Sequence, residues 1–173
     1  MKNGIIVSAN TNLVAGTDES EKLSGSDKKR TVFYDNAGDD KITGGKKGNE
    51  FHDGAGKDEY IRGQGEHIYH ITSTSGNNTI DVFNTKQDDF VASNDVKEMW
   101  LMGVRADRER GIDTTSAAVK ILHNDGNISH FYIKELQGDP IEIDVSYEGE
   151  EGKTGQRVPE NKIHRIAYTD KSK

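Results

Sequence analysis

From Asp35 to His70 an apolar side chain returns every ninth residue, at Ile42, Phe51, Tyr60 and Tyr69, and the residues between are mostly polar or glycine. Cut at that interval, the chain reads DNAGDDKIT (Asp35–Thr43), GGKKGNEFH (Gly44–His52), DGAGKDEYI (Asp53–Ile61) and RGQGEHIYH (Arg62–His70). In each block the second to sixth residues are turn-formers or polar, and the eighth is apolar. Glycines near the second and fourth positions permit the positive φ angles of a tight turn. Positions seven to nine predict a three-residue strand whose middle side chain points inward and whose neighbours point out. Two nonapeptides then make one turn of a flattened coil, and residues two blocks apart stack at roughly 4.8 Å per rung.

The pattern extends in both directions. Gly16–Ser24 (GTDESEKLS) and Gly25–Phe33 (GSDKKRTVF) put Leu23 and Val32 at the inward position, with Tyr34 as a one-residue insertion. After a slip at Ile71–Thr72, Ser73–Asp81 (STSGNNTID) brings Gly76, Asn78 and Ile80 into place. The predicted inner columns are therefore Val32/Phe51/Tyr69 and Leu23/Ile42/Tyr60/Ile80. Upstream, the apolar patches Ile5–Val7 and Leu13–Ala15 read as an atypical unit covering the first rung, as solenoid ends need.

Beyond Asp81 the nines stop. Val82–Asp95 is polar around Phe83 and Phe90, which look buried. Val96–Val104 is a short apolar strand or helix turn carrying Trp100, the single tryptophan. Ala117–Leu136 reads as a hairpin, with Asn124-Asp125-Gly126 as its turn. Ile141–Tyr147 alternates with period two, and Lys162–Thr169 does so less regularly, so both read as strands. No segment carries an apolar stripe of period 3.6. The expected fold is all-β: an N-terminal β cap over 1–15, a parallel β-roll over 16–81, and an antiparallel β unit over 82–173 that caps its C-terminal end.

The nonapeptides resemble, in degenerate form, the G-G-x-G-x-D-x-U-x repeat of the RTX family, the hemolysin-type calcium-binding repeats of secreted bacterial proteins. The resemblance implies calcium, a hard cation with 6–8 oxygen ligands, held at the turn edges of the roll. The family's ligand role carries to the sixth-position acids Asp40 and Asp58, joined by carbonyls of the turns at Asn36, Gly38, Gly54 and Gly56. Glu21 and Asn78 match less closely, because an insertion separates each from its neighbour. Arg30 and His67 occupy the same position on the other edge, where a cation and an imidazole oppose a dication.

The resemblance further implies a non-catalytic module of a secreted toxin or adhesin that aids folding after export and contacts a target surface. Its expected partners are calcium ions and a host or bacterial cell-surface molecule. The alternatives are an accessory roll of a secreted polysaccharide-active or lipolytic enzyme, and a metal-free structural roll.

Composition narrows the field. Glycine is 19 of 173 residues and hydrophobic residues are only 31%, with a net charge of -7. So little apolar material beside excess acid is also the signature of disorder. A ligand bound only by the folded state would add the missing stability. The absence of cysteine removes disulfides and thiolate chemistry. The acidic balance argues against a nucleic-acid partner. No apolar run approaches the ~20 residues of a transmembrane helix, and Met1–Gly4 leads into no signal-peptide core.

No G-x-S-x-G, H-E-x-x-H or phosphate loop is present, and the adjacent acids Asp39-Asp40 and Asp88-Asp89 read as solvent-facing, so no enzyme is expected. His52 and His70 share the ninth position and should stack outward, with His67 nearby as a third histidine. They read as surface histidines or as transition-metal ligands. His123 and His130 flank the hairpin turn and are expected on its solvent face.

Overall fold

A computed structural model describes residues 10–72, 74–103, 117–138, 142–147 and 163–169. Every regular element among them is a strand, and no helix there is long and apolar enough to cross a membrane. The first nine strands are β1 (Thr11–Ala15), β2 (Lys22–Ser24), β3 (Arg30–Tyr34), β4 (Lys41–Thr43), β5 (Asn49–His52), β6 (Glu59–Ile61), β7 (His67–Ile71), β8 (Asn77–Asn84) and β9 (Asp89–Ala92). Odd strands pair in parallel with odd ones and even with even, which is a β-solenoid whose full turns are β1–β2, β3–β4, β5–β6 and β7–β8.

The remaining strands are β10 (Val96–Gly103), β11 (Ala117–His123), β12 (Ile128–Gln137), β13 (Glu142–Tyr147) and β14 (Ile163–Thr169). β10, β11 and β12 pair antiparallel, the last two as the hairpin around Asn124–Gly126, and β13 pairs antiparallel with β14. This unit continues both faces of the roll: β12 runs parallel to β8, and β13 runs parallel to β9. The pairing of β10 with β14 then joins the two faces at this end.

The parallel ladder is longer than the nonapeptides suggest. β1 is a regular rung paired with β3, so the roll already runs through Thr11–Ala15 rather than being capped there; the Ile5–Val7 patch lies outside the described residues. At the other end Phe90 stacks on Tyr69 in register, so the ladder passes Asp81 and reaches Ala92. Its signal was obscured because β7 and β9 stand further apart in sequence than two nines allow. Trp100 sits on a strand and is 40% exposed.

Two inward columns fill the roll. One is Leu23, Ile42, Tyr60, Ile80 and Ile133; the other is Val14, Phe33, Phe51, Tyr69, Phe90 and Val145. Ile42, Phe51, Tyr60 and Tyr69 are all buried to 1% exposure or less. The Phe33 and Tyr69 rings stack on Phe51 with centroids 5.2 and 5.0 Å away. Phe83 and Phe90 are also fully buried and stack at 4.8 Å.

Val32 was expected in this column and is not part of it. It pairs with Glu50 on the outer side of the strand, and Phe33 takes the inward place. The extra residue therefore lies in the turn before β3, not at Tyr34. The hydrogen bonds agree: the Ser26 backbone N–H donates to Thr31 Oγ1, as the Gly45 N–H donates to Asn49 Oδ1 one rung later. Thr31, not Arg30, is thus the sixth-position residue of its block.

The rungs stack so closely at one turn that only glycine fits. A Cβ on Gly56 would lie 1.9 Å from the Gly38 carbonyl oxygen, and both residues have positive φ.

Candidate metal centre

Each turn on the Asp40 edge is tied to the next by the sixth-position side chain. Asp40 Oδ1 accepts the Glu21 backbone N–H at 2.7 Å, Asp58 Oδ1 accepts that of Asp40 at 2.8 Å, and Asn78 Oδ1 accepts that of Asp58 at 2.8 Å. These residues therefore satisfy backbone donors of the preceding rung, a task any side-chain carbonyl-type oxygen performs. Asp40 and Asp58 each keep a second oxygen, Oδ2, buried and without a hydrogen-bond partner.

The structure groups Asp58 with two acids that the nonapeptide reading passed over. Asp35 and Asp53 open their blocks just after β3 and β5, and one carboxylate oxygen from each of Asp35, Asp53 and Asp58 lies within 4.8 Å of the others. All three residues are at most 5% exposed. The register explains the location. In the column formed by Gly16, Asp35, Asp53 and Ile71, directly after the stacked strands, only the two middle rungs carry acids. Tyr60, the one hydroxyl-bearing member of its apolar column, reaches across the interior to them. Its hydroxyl lies 2.5 Å from Asp35 Oδ2 and is also hydrogen-bonded to Asp53 Oδ1, which accepts a further bond from Asn78 Nδ2 at 2.8 Å. The sequence signal was there: an acid at position one, repeated after two blocks, facing the only tyrosine of that stack.

The charges are the notable part. Burial pushes the Asp35 carboxyl up to about 6, against the lowering effect of the bonds from Tyr60 and the Gly54 N–H. Burial likewise pushes Asp58 up to about 7, with Asp35, Asp40 and Asp39 adding repulsion. Asp53 is raised well above its ordinary value, first by burial and then by the charge of Asp35. One tyrosine proton cannot serve two carboxylates, so near neutral pH this corner needs either additional protons or a cation. The three oxygens are close enough together to reach one ion, and an all-oxygen donor set suits a hard cation such as calcium.

Several of the other expected ligand residues also carry structural hydrogen bonds. The Asn36 carbonyl accepts the Ala55 N–H at 2.9 Å, and the Asn36 side chain donates to the Gly16 carbonyl at 2.6 Å. Glu21 Oε2 accepts the Thr17 N–H within its own turn at 2.6 Å.

On the opposite edge the sixth-position column is Thr31, Asn49, His67 and Asp88. His67 is fully buried beside Asn49, whose Nδ2 lies 3.2 Å from His67 Nδ1, and burial pushes its imidazole down to about 4. It points into the roll, so it cannot join His52 and His70 outside. Asp88, expected at the surface, is buried: it accepts the His67 and Asn84 N–H groups and is clamped by Arg62 through Nε at 2.8 Å and a terminal nitrogen at 3.1 Å. His123 is also buried rather than solvent-facing and is hydrogen-bonded to Ser129 at 2.7 Å, whereas His130 is half-buried beside Asn77. Among known proteins, no family model matches this chain and no curated protein matches it.

Proposed function

We propose that this chain is a non-catalytic, calcium-stabilised β-roll module, working as the secreted RTX-type repeats it resembles are held to work. The carrying observation is the corner at Asp35, Asp53 and Asp58, where three carboxylates converge in a buried site and Asp58 Oδ2 is left without a partner. A dication there would offset the repulsion that otherwise forces these acids to hold protons. The rungs of Asp35 and Asp53, already joined by the β3–β5 ladder, would then be reinforced where calcium is plentiful, which suits a chain that folds after export. At free calcium about 100 times the dissociation constant, one such site adds roughly 2.7 kcal/mol to stability.

A metal-free roll is the competing reading, favoured by the Tyr60 and Asn78 bonds that already satisfy part of the cluster. In that case the acids stay protonated and the roll stands on its aromatic stack. Thermal melting at pH 7.5 with calcium and with chelator separates the two. The proposal expects a calcium-dependent rise in melting temperature that is lost in Asp53→Asn and kept in Asn49→Ala. A parent protein whose melting ignores calcium would establish the metal-free roll.

A further inference from the structure

The outer face of the β3–β5–β7 ladder carries a different donor set. Glu50 and His52 lie two residues apart on β5 and so share a face, and His70 is the neighbour of His52 on β7. His52 Nε2 and His70 Nε2 approach the same oxygen, Glu50 Oε1, at 3.1 and 2.7 Å. The other Glu50 oxygen faces Arg30 at 3.7 Å. Tyr34 stacks on His52 with centroids 4.2 Å apart, and His52 stacks on His70 at 4.0 Å. The three side chains are 25%, 20% and 13% exposed, so they are held in place yet reachable from solvent.

We propose that Glu50, His52 and His70 form a site for a transition-metal dication of the zinc class. Two imidazole nitrogens and one carboxylate oxygen suit zinc, nickel or copper rather than a hard cation such as calcium. Three protein ligands leave one position of a tetrahedron for water. The ligand atoms already converge from two rungs, and the surrounding contacts orient them: Arg30 turns Glu50, and Tyr34 fixes the His52 ring. For each histidine to bind through Nε2, the proton it shares with Glu50 moves to Nδ1 or to solvent. The two rings, now 6° from parallel, must tilt so that both in-plane lone pairs meet the ion. Bound zinc would clamp the β5 rung to the β7 rung from outside, independently of the acidic corner within.

The test is a zinc titration of tag-free protein in excess calcium, followed by calorimetry and by long-range proton–nitrogen NMR of the histidine rings. The expected result is one saturable equivalent, with the Nε2 resonances of His52 and His70 shifting to metal-bound positions while those of His67 and His130 stay put. His52→Ala and His70→Ala should each weaken zinc binding about tenfold or more, since even supporting residues of metal sites have effects of that size. His130→Ala should bind as the parent does. No saturable equivalent in the parent, or unshifted His52 and His70 rings, would show the stack to be a polar network only and overturn the site.

Discussion

Asn78 Oδ1 accepts the backbone N–H of Asp58 at 2.8 Å, the same service that Asp58 Oδ1 gives Asp40 one rung earlier. An amide and a carboxylate thus do the same work in one column. The ladder needs an oxygen and has no need of a charge, so any charge there is available for something else.

That separation makes Asp58 a discriminating position. Asp58→Asn keeps an acceptor for the buried Asp40 N–H, so with chelator it should melt at or above the parent. Asp58→Ala leaves that donor unsatisfied and should lose about 1–3 kcal/mol. With calcium, neither variant should gain the parent's shift, because both lack the carboxylate. Melting curves of the three proteins in chelator and in calcium check this. An Asn variant as unstable as the Ala variant would mean the charge itself holds the column together.

The acidic corner also sets a pH dependence. Asp35, Asp53 and Asp58 have folded-state values raised above the ordinary carboxylate value, to about 6 and about 7 for the first and last. Their contribution is fully present below the unfolded value and is lost as pH rises through the folded values. In chelator, stability should therefore fall between about pH 4 and pH 7, by roughly 3 kcal/mol for Asp35 alone. His67 works in the opposite sense: its folded value is lowered to about 4, so its contribution is lost as pH falls from about 6.5. Calcium should abolish the first trend and leave the second. Urea melts from pH 5 to pH 8, with and without calcium and with His67→Asn, resolve the two contributions. Stability in chelator that does not fall across that range would remove the acids from the account.

Much of the roll was readable from periodicity alone. Inward positions of a two-block coil must be apolar, and Ile42, Phe51, Tyr60 and Tyr69 announce themselves. The boundaries were not readable, because a turn tolerates extra residues that a strand does not. The longer turn before β3 moved Phe33 inward in place of Val32, and the longer connections around β8 hid β9. The candidate metal site was half legible. Asp58 follows from the repeat, but Asp35 and Asp53 act through the space under Tyr60, which a linear motif does not represent. Asp88 was misplaced at the surface because its partner Arg62 lies far off in sequence, a relation that only the folded register reveals.

The position of the insertion is itself open to experiment. Phe33 lies in the aromatic column, 1% exposed and stacked on Phe51 at 5.2 Å with planes 13° apart. Removing that ring leaves a cavity between Val14 and Phe51, so Phe33→Ala should lose about 3–5 kcal/mol, as deletion of a buried aromatic does. Phe51→Ala should lose a comparable amount, because it contacts rings on both sides. Val32 sits on the outer side of the same strand, between Leu13 and Glu50, and contributes nothing to the stack. Val32→Ala should therefore lose much less. Chelator and calcium should leave this order unchanged, since none of the three residues supplies a carboxylate to the acidic corner. Urea unfolding of the three variants measures it directly. If Val32→Ala were the most damaging, the extra residue would lie at Tyr34, and the pairing of β3 with β5 would be shifted by one.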